Sequence, residues 1–400
     1  NLDFSSNTSL KYLNCQLNKL TSLIVSNNPA ITDLKCEGNH LTSLNVSNNV
    51  VLTDLSCSGN QLTSLNVSGC SALKSLYCIG NQLTSLDVSG CIALWSLYCS
   101  INQLISLDVS NNTALLDVNC EKNQLTDLDV SGCTNLRILY CIDNQLISLD
   151  VSNNITLESL SCSNNQLTTL DISDNLALAY LNCSGNQLST LNVSGSIPLW
   201  SLYCSDNQLT DLDVTGCTAL RSLYCDNNQL TSLDVSSNFV LSYLNCSDNQ
   251  LTDLDVSACA PLWSMNCSGN QLTNLDVSNN FALAFLSCHD NQLTSLDVSG
   301  CSYLRSLYCI GNQLTYLDVS NNPALKNLNL SSIPTLYEVC VWQMPFPPLD
   351  VDVDTTGSPN VYFTSDCAST EINTYKESST INIYPNPSDD IINIEIENPK

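Results

Sequence analysis

Leu73-Lys74-Ser75-Leu76-Tyr77-Cys78-Ile79-Gly80-Asn81-Gln82-Leu83-Thr84-Ser85-Leu86-Asp87-Val88-Ser89-Gly90-Cys91 decides the fold. It holds two similar halves, L-x-x-L-x-C-x-x-N and L-x-x-L-x-V-x-x-N/C, which together make one 21-residue unit. Working outward, fifteen cysteines from Cys15 through Cys36 and Cys57 to Cys309 fall at a strict spacing of 21, and an asparagine follows each by three, from Asn18 to Asn312. Self-similarity at a fixed short period is the mark of a solenoid, in which each coil buries its apolar face only against its neighbours.

In Leu76-Tyr77-Cys78 and in Leu86-Asp87-Val88, alternate side chains point in and out, as on a short strand. The spacing therefore predicts a β solenoid of about 15–16 coils with two short parallel sheets on opposite sides and little or no helix, with about 4.8 Å between coils and a length of about 75 Å. Leu, Val and Cys form the inner columns. The asparagines sit where the chain leaves the strand, where an amide can satisfy turn backbone groups. In the second half that slot alternates between Asn (Asn112, Asn154) and small residues such as Cys91, Cys133 and Ser196. The cysteine column reads as buried free thiols, since parallel Cβ vectors suit bridging poorly.

The unit resembles the nested 21-residue bacterial leucine-rich repeats of the IRREKO type over about residues 2 to 335, with Cys for the third Leu of the first half. That resemblance implies a right-handed superhelix in a secreted or surface protein that binds other molecules through the strand of the first half. Beyond it, residues 336–367 change character (Trp342, Met344, Pro345, Phe346) and are expected to cap the last coil, pinned by a disulfide between Cys340 and Cys367, the only cysteines off the repeat grid. Residues 368–379 read as a linker. Residues 380–400, with Tyr384-Pro385-Asn386-Pro387 before the alternating Ile392-Asn393-Ile394-Glu395, resemble the start of the sorting domain of type IX secretion in Bacteroidetes-like bacteria, cut short at Lys400. A repeat that begins at Asn1 in mid-unit suggests that the natural N-terminus lies upstream.

Composition narrows the function. A net charge of −27 argues against nucleic acid or anionic membranes as partners, and no run of about 18 apolar residues suggests membrane insertion. The two histidines, His40 and His289, sit in turn columns, and no phosphate loop, zinc spacing or hydrolase elbow occurs. No enzyme activity, cofactor or resident metal is expected.

Two outward columns remain as candidates. The Cys-bearing strand carries Tyr77, Tyr98, Tyr140, Tyr203, Tyr224 and Tyr308 just before the cysteine, and three residues earlier a column with Trp95, Trp200, Trp263, Arg137, Arg221 and Arg305. Trp, Tyr and Arg are the residue types enriched in binding hot spots. A ladder of them can equally stabilise a sheet by stacking. On the second half, Asp87, Asp108, Asp129, Asp150 and Asp171 begin an eleven-membered Asp column. Its repulsion can be relieved by neighbouring Ser and Thr hydroxyls or by calcium. The leading expectation is a secreted or cell-surface adhesion module that takes a protein or glycan ligand on the aromatic sheet. The alternative is a surface-layer or matrix component with calcium-bridged Asp ladders. An ice-binding role for the Thr column (Thr42, Thr63, Thr84) suits that Asp-rich face poorly.

Overall fold

The structure is a computed structural model that describes residues 1–367 other than 27 and 48, together with two strands at 382–385 and 392–395. The residues expected to form a linker, 368–379, lie outside the described residues. No helix is present among them, and so none long and apolar enough to cross a membrane.

Strict alternation produces a strand of three residues in each coil. In Ser222–Tyr224 the central Leu223 is buried and both neighbours are partly exposed. These strands stack in parallel with a 21-residue register: Tyr12 lies beside Asp33, Tyr180 beside Ser201, and Tyr203 beside Tyr224. They form one open ladder of seventeen strands from Tyr12–Asn14 to Asp352–Asp354. That is one strand beyond the sixteen coils expected, because Asp352–Asp354 adds itself beside Asn327–Asn329.

The second sheet departs from expectation. It is not continuous. Pairing on that side is confined to Leu2–Asp3 with Leu23–Ile24, Ser43–Asn45 with Ser64–Asn66, Ser106–Asp108 with Asp127–Asp129, and Tyr316–Asp318 with Glu338–Cys340 and Tyr362–Thr364. Isolated bridges join Asp276, Asp297 and Asp318. Neither the Asp turn nor carboxylate repulsion separates these coils from the rest. The turn in which Asp87 Oδ1 accepts Ser89 N–H at 3.0 Å recurs at the paired Asp108. Stacked carboxylates repel across the ladder, yet Asp108 lies beside Asp129. Coils that lack the pairing remain tethered by single bonds such as Gln145 N to Leu125 O, at 2.9 Å.

The interior is one apolar column system. Leu73, Leu76, Cys78, Leu83, Val88 and Cys91 are all inaccessible to solvent, and their counterparts repeat to Leu336. Each fully buried Leu contributes about 1.5–3 kcal/mol. The turn after each cysteine demands a left-handed residue two positions on. Gly80, Gly185, Asn164 and Asp206 supply it, whereas Ile101 adopts φ 56° despite its β-branch.

Residues 336–367, expected as a cap, add strands to both sides of the solenoid, at Glu338–Cys340, Asp352–Asp354 and Tyr362–Thr364. Trp342 packs edge-on to Phe346, which lies against Phe363. All twenty-one cysteines of the repeat are free and buried, and Cys340 and Cys367 are disulfide-bonded. The residues toward Lys400 form a separate unit. Its strand Asn382–Pro385 pairs antiparallel with Ile392–Glu395.

Candidate functional site

The asparagine ladder holds the main sheet in register and so positions everything on it. Asn144 donates from Nδ2 to the carbonyls of Cys120 and Cys141, both at 3.1 Å, while its Oδ1 accepts the N–H of Leu125 at 3.0 Å. The same set recurs at Asn60, Asn102 and Asn228. The second-half slot is built differently. Asn154 donates to Val130 O and Cys133 O, at 3.0 and 2.8 Å, and its buried Oδ1 finds no partner in the protein. Where cysteine takes that slot, as at Cys133, the thiol donates to Val109 O at 3.2 Å.

On the frame so fixed, the aromatic residues form short runs of ring contacts. Tyr77 stacks on Tyr98 with ring centroids 5.1 Å apart, and Tyr203 stacks on Tyr224 at 4.9 Å. Tyr308 leans on Phe285 at 5.6 Å. Tyr140 has no aromatic neighbour in its own column, and its hydroxyl lies 3.2 Å from Ser159 Oγ. Burial pushes the Tyr98 and Tyr224 hydroxyls above their ordinary pKa, which keeps them neutral and able to donate. The tyrosines thus serve the sheet as well as its surface.

The neighbouring column separates into committed and available groups. Trp95 donates Nε1 to Ser75 Oγ at 2.9 Å, and Lys74 Nζ sits 5.9 Å from its ring centroid. Arg137 forks onto Glu158, with contacts of 2.7 to 3.0 Å. Trp200 and Trp263 each rest against one tyrosine, Tyr180 at 6.2 Å and Tyr243 at 5.8 Å, and stay 47% and 48% exposed. Arg221 and Arg305 make no ion pair among the described residues. The available set is therefore Trp200, Arg221, Trp263 and Arg305, in one column at intervals of one or two coils. It offers ring faces for stacking and guanidinium forks for carboxylate or sulfate groups. Reading the sequence alone grouped Arg137 with the other arginines. Glu158, 21 residues later in the same column, is the signal that set it apart.

The Asp column is internally satisfied. Asp108 Oδ1 accepts from both the N–H and the hydroxyl of Ser110, at 2.9 and 2.7 Å, and Asp87 does the same with Ser89. The serine hydroxyl and N–H hold both carboxyls below the ordinary range. Asp129, Asp150 and Asp171 accept the N–H of Ser131, Ser152 and Ser173. Among the described residues no three carboxylates of this column converge as ligands of one ion would.

Nothing in this surface resembles a reaction centre. His289 Nδ1 lies 2.8 Å from Asp290 Oδ2 on an exposed turn. The repeat thiols are buried, and burial raises Cys99, Cys162 and Cys246 to about 12, far from a reactive thiolate.

Comparisons with known proteins agree with this geometry. The family pattern described as Leucine Rich repeats (2 copies) matches residues 201–238. The solved functional domain of InlJ from Listeria monocytogenes, whose description notes a cysteine ladder, is 35% identical. The match covers 83% of this chain and 73% of that one, with a TM-score of 0.76. YopM from Yersinia enterocolitica is 25% identical over 89% of this chain and 83% of its own, with a TM-score of 0.67. A leucine-rich-repeat protein of Leptospira interrogans, 23% identical over 88% of this chain and 97% of its own, shares the fold with a TM-score of 0.64. No curated protein matches the chain significantly by sequence.

Proposed function

Because the chain belongs to the leucine-rich-repeat family, we propose that it is a secreted or cell-surface binding module, without enzymatic activity, that takes a protein or glycan ligand on its main sheet. The observation that carries this reading is the pair of unpaired arginines, Arg221 and Arg305, interleaved with the half-exposed Trp200 and Trp263. A strongly acidic protein leaves its arginines unpaired at a cost in attraction it could otherwise have made, and recognition of an anionic partner accounts for that. Export is supported by the disulfide at Cys340 and Cys367. Residues 380–400, with their antiparallel strand pair, fit the start of a type IX sorting domain.

The test is a binding screen against glycans and surface proteins, run in calcium and in chelator. Binding by the wild type that is lost in Trp200→Ala/Trp263→Ala, at unchanged thermal stability, supports recognition on this sheet. If no ligand binds, and calcium instead raises stability or drives assembly, the structural role for the Asp column replaces it.

A further inference from the structure

Along the tyrosine column of the main sheet, rings stack in adjacent pairs, Tyr77 with Tyr98 and Tyr203 with Tyr224. At one place two tyrosines stand two coils apart with a single smaller residue between them. Tyr98, Asn119 and Tyr140 lie side by side in direct register, and at the other outward position of the same strands so do Ser96, Asp117 and Ile138. The other breaks in the column are wider: Tyr140 to Tyr203 is 63 residues and Tyr224 to Tyr308 is 84, against 42 here. At about 4.8 Å per coil, Tyr98 and Tyr140 are about 9.6 Å apart. A ring seated between them lies about 4.8 Å from each, within the roughly 4.5–7 Å over which rings pack.

The walls of this notch are set by contacts outside it. Tyr77 covers one face of Tyr98, with the ring planes 20° apart, so the stacking runs along the solenoid and the other face of Tyr98 turns toward Asn119. Tyr140 leans the opposite way, its hydroxyl 3.2 Å from Ser159 Oγ in the following coil. The floor is polar. Asn119 Oδ1 accepts the N–H of Glu121 at 3.1 Å, which leaves Nδ2 to donate outward. Asp117 is partly buried; burial raises its pKa, while Arg137 and a hydrogen bond with Ser96 draw it back. A single such bond uses only part of a carboxylate's acceptor capacity. An acceptor and a donor therefore stand next to each other between two aromatic walls.

We propose that the notch over Asn119 is a subsite for one uncharged pyranose ring of a glycan, seated between Tyr98 and Tyr140 with its hydroxyls bonded to the Asp117 carboxylate and the Asn119 amide. Such a ring offers C–H faces to the tyrosines and hydroxyls that both donate and accept, which is what the floor requires. The proposal rests on the reading of the main sheet as a binding surface, yet it uses none of Trp200, Arg221, Trp263 or Arg305. Charged occupants fit less well. Asp117 and Glu121 repel an anionic sugar, and Arg137 on one side and Lys74 over Trp95 on the other repel an ammonium group.

Saturation-transfer NMR of the full chain with the methyl pyranosides of glucose, galactose and mannose tests the proposal, with a melting curve for every variant. At least one pyranoside should bind the wild type with a dissociation constant on the order of 1 mM, a range suited to so small a ligand. Asp117→Asn keeps the shape and removes the charged acceptor, and should weaken binding by about tenfold. Asn119→Tyr fills the gap with the residue that adjacent coils carry at Tyr77 and Tyr98, so it should stay folded and abolish binding. Trp200→Ala/Trp263→Ala should leave pyranoside binding unchanged. A wild type that binds no pyranoside at about 50 mM overturns the proposal. So does undiminished binding by both Asp117→Asn and folded Asn119→Tyr, or tighter binding of tetramethylammonium than of any pyranoside. Binding lost in Trp200→Ala/Trp263→Ala but kept in Asn119→Tyr also overturns this subsite, while it upholds the main sheet as the binding surface.

Discussion

Asn144 Nδ2 reaches across the boundary between two coils to the carbonyl of Cys120, 24 residues earlier, at 3.1 Å, and is held there because Oδ1 of the same side chain accepts Leu125 N–H. One amide therefore satisfies backbone groups of two coils in the interior. Replacing Asn144 with Ala leaves the Leu125 N–H buried without a partner and takes one of two amide donors from the Cys120 and Cys141 carbonyls, which keep Asn123 and Asn165. The expected loss is about 2 kcal/mol by urea denaturation. Asn154→Cys removes a buried Oδ1 that has no partner and keeps a donor toward Val130 O, as Cys133 does toward Val109 O. It is expected to change stability by less than about 1 kcal/mol. Equal losses at the two sites would show that the two ladders are not built differently.

Ile101 occupies the left-handed turn position with φ 56°, where neighbouring coils place Gly80 and Gly59. Left-handed backbone costs a β-branched residue about 1–2 kcal/mol. Ile101→Gly should raise the denaturation midpoint by the equivalent of about 1 kcal/mol. A lowered midpoint would mean that the half-exposed Ile101 side chain contributes packing that outweighs the backbone strain.

The buried cysteines give a direct count. With a thiol reagent near neutral pH and no reductant, the native protein should show almost no reactive thiols. In denaturant it should show 21, and after reduction all 23. A denatured count of 23 without reductant would remove the disulfide at Cys340 and Cys367.

Alkaline pH should unfold the protein steeply. Burial raises Cys99, Cys162 and Cys246 from 9.0 to about 12. Below pH 9 these thiols are protonated in both folded and unfolded chains, so the contribution is constant. Between pH 9 and 12 the unfolded chain gives up protons that the folded chain keeps, and stability falls as pH rises. Each such thiol adds a slope of about 1.4 kcal/mol per pH unit. Urea midpoints that stay level from pH 8 to 11 would contradict the burial of the thiol column.

Within the candidate surface, the arginines should divide. Arg221→Ala/Arg305→Ala is expected to weaken binding of an anionic ligand by about tenfold or more, with a strong dependence on salt. Arg137→Ala should alter it by less than about twofold, because the fork onto Glu158 already occupies that guanidinium. Titrations in low and moderate salt separate the cases. A larger loss from Arg137→Ala would move the ligand toward the N-terminal half of the sheet.

Much of this was legible before the structure. Cys78 and Cys99, 21 residues apart with one Leu always two before, are enough to predict Leu76 beside Leu97 in a parallel ladder, and the register is that. Asn81 three residues later foretold a backbone-satisfying amide, and it donates to Cys57 O and Cys78 O. The Trp column was equally visible. What the sequence misjudged was the second side, where Leu86-Asp87-Val88 alternates as faithfully as Leu76-Tyr77-Cys78 yet forms no sheet there. Alternation dictates which side chains go inward, and both stretches obey it. It does not dictate whether the next coil comes near enough to bond.

The sequence by itself determined the coil, the inward columns and the residues that share a face, because a 21-residue period and a two-residue alternation are local and every coil repeats them. Only the tertiary structure decided which members of a column are spent and which are free. Arg137 and Arg221 occupy the same position of the repeat, but Arg137 meets Glu158 in the next coil and Arg221 meets Ser242. That difference arises from contacts between coils about 4.8 Å apart, where one neighbour's charge outweighs any property of the residue itself.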